Sequence, residues 1–166
     1  MDASLRGIDS HGFQILPYYL GRWKAGQIVP DAEPTIVHES GTTTVFDANQ
    51  AVGHHVSRTV MQCAIDTAHS RGLAMAVARN STHNGTISLY TIQAARQGMI
   101  GIAGTACAPH VAPFGGTEGL HGTNPMSYCL PRPTGDPIVF DLSTGYSSAK
   151  IKDHADREGR LPENRV

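Results

Sequence analysis

The 166-residue chain sets 13 Lys and Arg against 14 Asp and Glu, a formal net charge of −1, which gives no basic footprint for nucleic acid. Its length admits one domain that buries roughly 70% of its unfolded surface, and no apolar run reaches the roughly 18 residues of a membrane span. Cys63, Cys107 and Cys129 are widely spaced and form no CxxC pair, so neither a disulfide framework nor a zinc–thiolate site is supported. The first residues lack the apolar core of a signal peptide, and a soluble cytoplasmic protein is the expectation.

Residues 13–27 read as a helix, with Phe13, Leu16, Tyr19 or Leu20, and Trp23 at three- and four-residue spacings. Pro17 falls in its first turn and Gly26 ends it. Thr35–Glu39 and Thr43–Phe46 are β-prone runs split by Ser40-Gly41, which predicts a hairpin. From Val52 the period changes: Val52, Val56, Val60, Ala64 and Ala68 form an apolar stripe at spacing four that stops at Gly72. Leu73–Ala78 then reads as a buried strand. Ile87, Tyr90, Thr91, Ala94 and Ala95 give a second helical stripe closed by Gly98, and Met99–Ala106 is again strand-like. Helix, strand, helix, strand in this order predicts an α/β layer with a crossover helix on one face and ligands beyond the strand ends. After Ala106 the chain is rich in loops, with short strands at Met126–Leu130 and Ile138–Phe140, the second ended by Asp141. Both ends read as abrupt, as in a fragment of a longer chain.

The stretch Asn80-Ser81-Thr82-His83-Asn84-Gly85 lies where a strand hands over to a helix. A loop there exposes a side chain on a fixed backbone, and the helix dipole holds His83 towards the neutral, proton-accepting form. A histidine that only fills a polar turn is the other reading. The remaining histidines show no HxxxH or HExxH pair, so no metal site is expected. His54 and His55 read as surface positions at a helix start. There is no Gly-x-Ser-x-Gly elbow, no phosphate loop and no Gly-x-Gly-x-x-Gly fingerprint. Any dinucleotide must therefore bind through a non-Rossmann architecture.

Whole phrases carry more. Gly7-Ile8-Asp9-Ser10-His11-Gly12 resembles the N-terminal signature of the malate/L-lactate dehydrogenase family. The likeness continues in order through Asn80–Gly85, Val111–Gly116, Gly122-Thr123-Asn124-Pro125 and Asp141-Leu142-Ser143-Thr144. The resemblance implies a non-Rossmann α/β fold, a mixed sheet with packed helices, L-sulfolactate/malate dehydrogenase-like and partial. It implies one incomplete domain over 1–166: a substrate-side segment at 1–50, a cofactor-binding core at 51–150 and a truncated C-terminal segment at 151–166. The implied activity is hydride transfer between NAD or NADP and a small 2-hydroxy acid, or a related 2-oxo or imino acid. In the family the histidine matching His83 is the general acid/base. Ser10 and His11 match the pair beside nicotinamide and substrate, and Tyr19 matches a substrate-side tyrosine. Cys107, the turn Gly122-Thr123-Asn124 and Asp141-Leu142-Ser143 match cofactor-side positions, Asp141 with a share in proton handling. Each has a plainer alternative: Tyr19 as half-buried core, Cys107 as a small apolar filler, Asp141 as a helix cap. A homodimer with a small-molecule substrate, and neither nucleic acid nor membrane as partner, follows from the same likeness.

Two departures stand out. Ile15 occupies the place where many members carry an arginine suited to a substrate carboxylate, and Arg22 is the cation at hand to replace it. The family's Gly-Lys pair is shifted to Ala149-Lys150-Ile151-Lys152. Family members are also about twice as long, so uncovered apolar surface is expected, and a non-catalytic remnant acting as a binding module is the alternative function.

Overall fold

The computed structural model describes residues 1–145. The chain opens with a short helix α1 (Asp2–Leu5), two single turns of 3₁₀ helix at Asp9–His11 and Phe13–Ile15, and helix α2 (Leu16–Lys24). The helix expected over 13–27 is thus shorter. Its first turn is 3₁₀ and its α-helical part ends at Lys24; just ahead of it, a Cβ on Gly12 would lie 2.0 Å from Ser4 Oγ, which accepts the Phe13 N–H at 3.0 Å. Pro17 does sit in the first turn of α2, and Gly26, at φ +70°, closes it. Leu16, Leu20 and Trp23 on this helix remain exposed.

Strands β1 (Thr35–Ser40) and β2 (Thr43–Asp47) form the expected antiparallel hairpin, turning at Gly41 with φ +59°. Helix α3 (Gly53–Arg71) then carries the chain back to β3 (Met75–Arg79), which pairs parallel to β2. Val56 of the predicted stripe is buried with Ala48 and Ala51, and Val60 and Ala78 pack against them. Gly72, at φ +84°, donates its N–H to Ala68 O and stops the helix where the sequence places the stop. The crossover in this mixed sheet is therefore α3.

Helix α4 (Ser88–Ala95) does not join two strands of one sheet, contrary to the expected layer. It leads to β4 (Gly101–Gly104), which with β5 (Met126–Leu130) and β6 (Ile138–Leu142) forms a second, wholly antiparallel sheet. The physical reason lies in the contact of α4 with that sheet. A Cβ on Gly101 would meet Thr91 O at 2.5 Å, and the buried hydroxyls of Thr91 and Ser127 lie 2.8 Å apart. Ile92 and Ala95 pack on Cys129. Asp141 lies within β6 rather than ending it. β3 is not a buried strand either: Ala76 and Ala78 turn inward, while Leu73, Met75 and Val77 are exposed. The Ala149–Lys152 segment and the expected segment 151–166 lie outside the described residues.

Candidate active site

The loop from β3 to α4 is tied down at Asn80, Thr82 and Asn84 around His83. Asn80 adopts φ +52° and donates its side-chain amide to Asp47 Oδ2 at 2.8 Å, while its carbonyl accepts the Gln50 N–H. Thr82 Oγ1 donates to Ala51 O and accepts the Gly53 N–H, both at 2.9 Å. A Cβ on Gly53 would lie 2.2 Å from Thr82 O, so the start of α3 is pressed onto the loop. The Asn84 amide donates to Ser57 Oγ at 3.0 Å, and the Tyr90 hydroxyl donates to Asn84 O. The loop is a rigid mount with one imidazole left to present.

That imidazole sits among rings. The Tyr19 hydroxyl lies 2.7 Å from His83 Nδ1, and the Gly85 N–H donates to the same nitrogen at 3.3 Å. His11 stacks on His83 with centroids 5.7 Å apart and planes at 24°, and Tyr18 meets it edge-on at 5.9 Å. The Ser10 hydroxyl lies 2.8 Å from His11 Nδ1. His54 packs edge-on against Tyr19, centroids 5.3 Å apart. Burial, then the neighbouring His11 and His54, push the His83 pKa down to about 4. Burial, then Tyr18, push the Tyr19 phenol up to about 12. At neutral pH the pair is an unprotonated imidazole against a protonated phenol. The direction for His83 matches the sequence expectation, with burial as its first cause.

His83 opens onto a cavity of about 1680 Å³. Ser10, His11, Cys107 and Thr123 share its lining with His83, so residues from three separate phrases, together with Cys107, meet around one space. Tyr19 stands behind His83 rather than on the cavity. The remaining predicted residues build a layer behind Cys107. Asn124 Oδ1 accepts the Cys107 N–H at 2.9 Å, and a Cβ on Gly122 would lie 2.4 Å from Cys107 O. Ser143 Oγ donates to Thr123 O at 3.2 Å, next to the half-exposed Leu142 on β6. Asp141, within β6, accepts the Ser88 N–H at the start of α4 through Oδ2 at 2.9 Å.

His54 corrects the sequence reading of two surface histidines. His55 is exposed and pairs with Glu33 at 2.6 Å, whereas His54 is half-buried and its pKa is lowered, by burial first. Its partner Tyr19 lies on another helix, and no local periodicity signals that contact. Tyr18 was missed for the same reason. Among the described residues no three of His, Cys, Asp and Glu gather as metal ligands. Ile15 lines the cavity, and no Lys, Arg, Asp or Glu does among the described residues. Arg22 instead donates to Gln27 Oε1 at 2.9 Å and lies 5.1 Å over the Tyr18 ring.

A family model described as malate/L-lactate dehydrogenase matches residues 1–166. L-sulfolactate dehydrogenase of Methanocaldococcus jannaschii is 35% identical over 166 residues, 98% of this chain and 47% of that protein. Ureidoglycolate dehydrogenase (NAD(+)) of Escherichia coli K12 is 33% identical over 162 residues, 97% of this chain and 46% of the relative. The crystal structure of malate dehydrogenase from Entamoeba histolytica superposes with a TM-score of 0.89 at 40% identity, covering 95% of this chain and 44% of that one. The chain spans under half the length of the curated relatives it matches.

Proposed function

Since the chain belongs to the malate/L-lactate dehydrogenase family, we propose that it carries the acid/base side of a hydride transfer between NAD or NADP and a small 2-hydroxy acid. The observation that supports this most is the neutral His83, rigidly mounted and half-buried at a cavity that His11 and Ser10 share. Oxidation of a carbinol needs a base for the hydroxyl proton as hydride leaves carbon, and imidazole is matched to that task near neutral pH. A nicotinamide cofactor, when bound, accepts or supplies the hydride. His83 takes or returns the proton at the substrate oxygen, and the burial that lowers its pKa keeps it unprotonated until an anionic substrate arrives. His11, stacked beside it and held by Ser10, limits where a substrate oxygen can sit.

The lining from Gly101 to Ala108 fits the nicotinamide end of such a cofactor. It consists of Gly, Ala, Thr and Cys apart from Ile102, a small and neutral wall against which a flat ring can lie. Cys107 is fixed in that wall by Asn124, and the Thr123–Ser143 contact holds the next layer. No guanidinium of the described residues faces a pyrophosphate or a substrate carboxylate there. The same family membership is the ground for taking the protein as a cytoplasmic homodimer with a small-molecule substrate.

Fluorescence titration with NADH and NADPH, followed by turnover with a panel of 2-oxo acids, tests the proposal. Binding of one cofactor and turnover are expected, and His83→Ala should lower turnover by roughly 100-fold. No binding at millimolar cofactor would sink the reading for this chain, and retained turnover in His83→Ala would remove His83 as the acid/base.

A further inference from the structure

Two polar groups converge on one ring nitrogen of His83. The Gly85 N–H lies 3.3 Å from Nδ1 and the Tyr19 hydroxyl 2.7 Å from the same atom. A backbone N–H only donates, so Nδ1 receives it as an unprotonated acceptor. The hydroxyl of Tyr19 can donate or accept, and opposite a nitrogen that already accepts it is left to donate. Its raised pKa, caused by burial and then by Tyr18, keeps that proton in place.

We propose that Tyr19 is a positioning residue for His83: with the Gly85 N–H it holds the neutral imidazole as the Nε2–H tautomer, so the ring offers the cavity a donor rather than a lone pair. Tyr19 acts through His83, since His83 lines the cavity and Tyr19 does not. It is itself held edge-on by Tyr18 at 5.7 Å and by His54 at 5.3 Å. Residue 85 is held to glycine by its φ of +73° and by space, since a Cβ would fall 2.6 Å from His54 Nε2.

The consequence for substrate rests on the hydride-transfer reading. A ring that presents Nε2–H suits an oxygen that only accepts, the carbonyl of a 2-oxo acid, over a hydroxyl that must give up a proton. Acting as a base requires the single ring proton to sit on Nδ1, and there Tyr19 must turn from donor to acceptor. A phenol serves better as donor to an imidazole nitrogen than as acceptor from an imidazole N–H, and the Gly85 N–H would face that N–H, so the pair favours the first arrangement. A phenyl ring tolerates neither as a partner.

Long-range ¹H–¹⁵N correlation spectra of the ¹⁵N-labelled full chain read the tautomer directly at about pH 8, well above the ordinary histidine pKa of about 6.5. In the wild type, His83 Nδ1 should resonate as an unprotonated nitrogen and Nε2 as a protonated one. Tyr19→Phe should raise the Nδ1–H to Nε2–H ratio about fivefold, the equivalent of one neutral hydrogen bond. Tyr128→Phe, on β5 and outside the cavity lining, leaves both donors in place and should leave the ratio unchanged. A wild-type ring with its proton on Nδ1 overturns the proposal, and that measurement does not depend on any variant folding. A folded Tyr19→Phe with the wild-type ratio overturns it as well. Turnover with 2-oxo acids is scored separately: an Nε2–H ring without turnover removes the hydride-transfer reading and leaves the tautomer assignment standing.

Discussion

Ile15 decides how much of a substrate's charge this stretch of chain can answer. It lines the cavity beside Ser10, His11 and Tyr18, and Arg22, engaged with Gln27 and the Tyr18 ring, does not. A carboxylate next to His83 therefore meets polar but uncharged groups from this stretch. Ile15→Arg should lower KM for a 2-oxo acid roughly tenfold with little change in kcat, the pattern of a charge-assisted hydrogen bond made equally in ground and transition states. An unchanged KM would mean that residue 15 does not reach the carboxylate. The phrases that carry Ser10, His11 and His83 made these residues legible in the sequence, because each keeps its neighbours on a short loop. Tyr18 and His54 were not legible. Tyr18 reaches from α2 to His83 on the loop after β3 and His54 from α3 to Tyr19 on α2, and nothing in the spacing around either residue encodes a partner more than thirty positions away.

At the scale of elements, the mount of His83 depends on how closely α3 approaches the loop after β3. Gly53 makes that approach, with Thr82 O and His83 O at 2.2 and 2.6 Å from where its Cβ would stand. Both neighbours are backbone atoms that the Ala51 and Thr82 hydrogen bonds hold in place. Gly53→Ala adds helix propensity, yet the clash should dominate and destabilise the fold by about 1–3 kcal/mol, read as a lower urea midpoint with shifted His83 resonances. A stability equal to or above wild type would show that α3 can slide off the loop. Most elements could be read locally, since periods of two and near four are written in neighbouring residues. The division into two sheets could not. It follows from the pairing of β4 with β5, which are joined by a long loop, and from Gly101 receiving α4. β3 did carry its own signal: Leu73-Ala74-Met75-Ala76-Val77-Ala78 alternates large and small residues, and the small set faces α3 while the large set is exposed.

Taken as a whole, the molecule is a frame in which two strand edges from different sheets, β3 and β4, border one cavity. Met75, Val77 and Ile102 stand exposed along it. The rings gathered around His83 are partly buried, and that burial has a cost in acid. His83 is held near pKa 4 by burial, then by His11 and His54, and His54 is itself lowered by burial first. An unfolded chain takes up these protons near the ordinary histidine value of about 6.5. Between about pH 6.5 and 4 the unfolded state therefore binds more protons than the folded one, so stability is complete above that window and falls as pH drops through it. Asp47, whose carboxyl is held below its ordinary range by the Asn49 N–H and then by Asn80, acts at lower pH and leaves the window to the histidines. Urea midpoints should fall between about pH 7 and pH 5, and His83→Gln should flatten the dependence. A wild-type midpoint that stays level across that interval would mean that His83 takes up its proton in the folded chain as readily as in water, and the half-buried mount argued for it would be wrong.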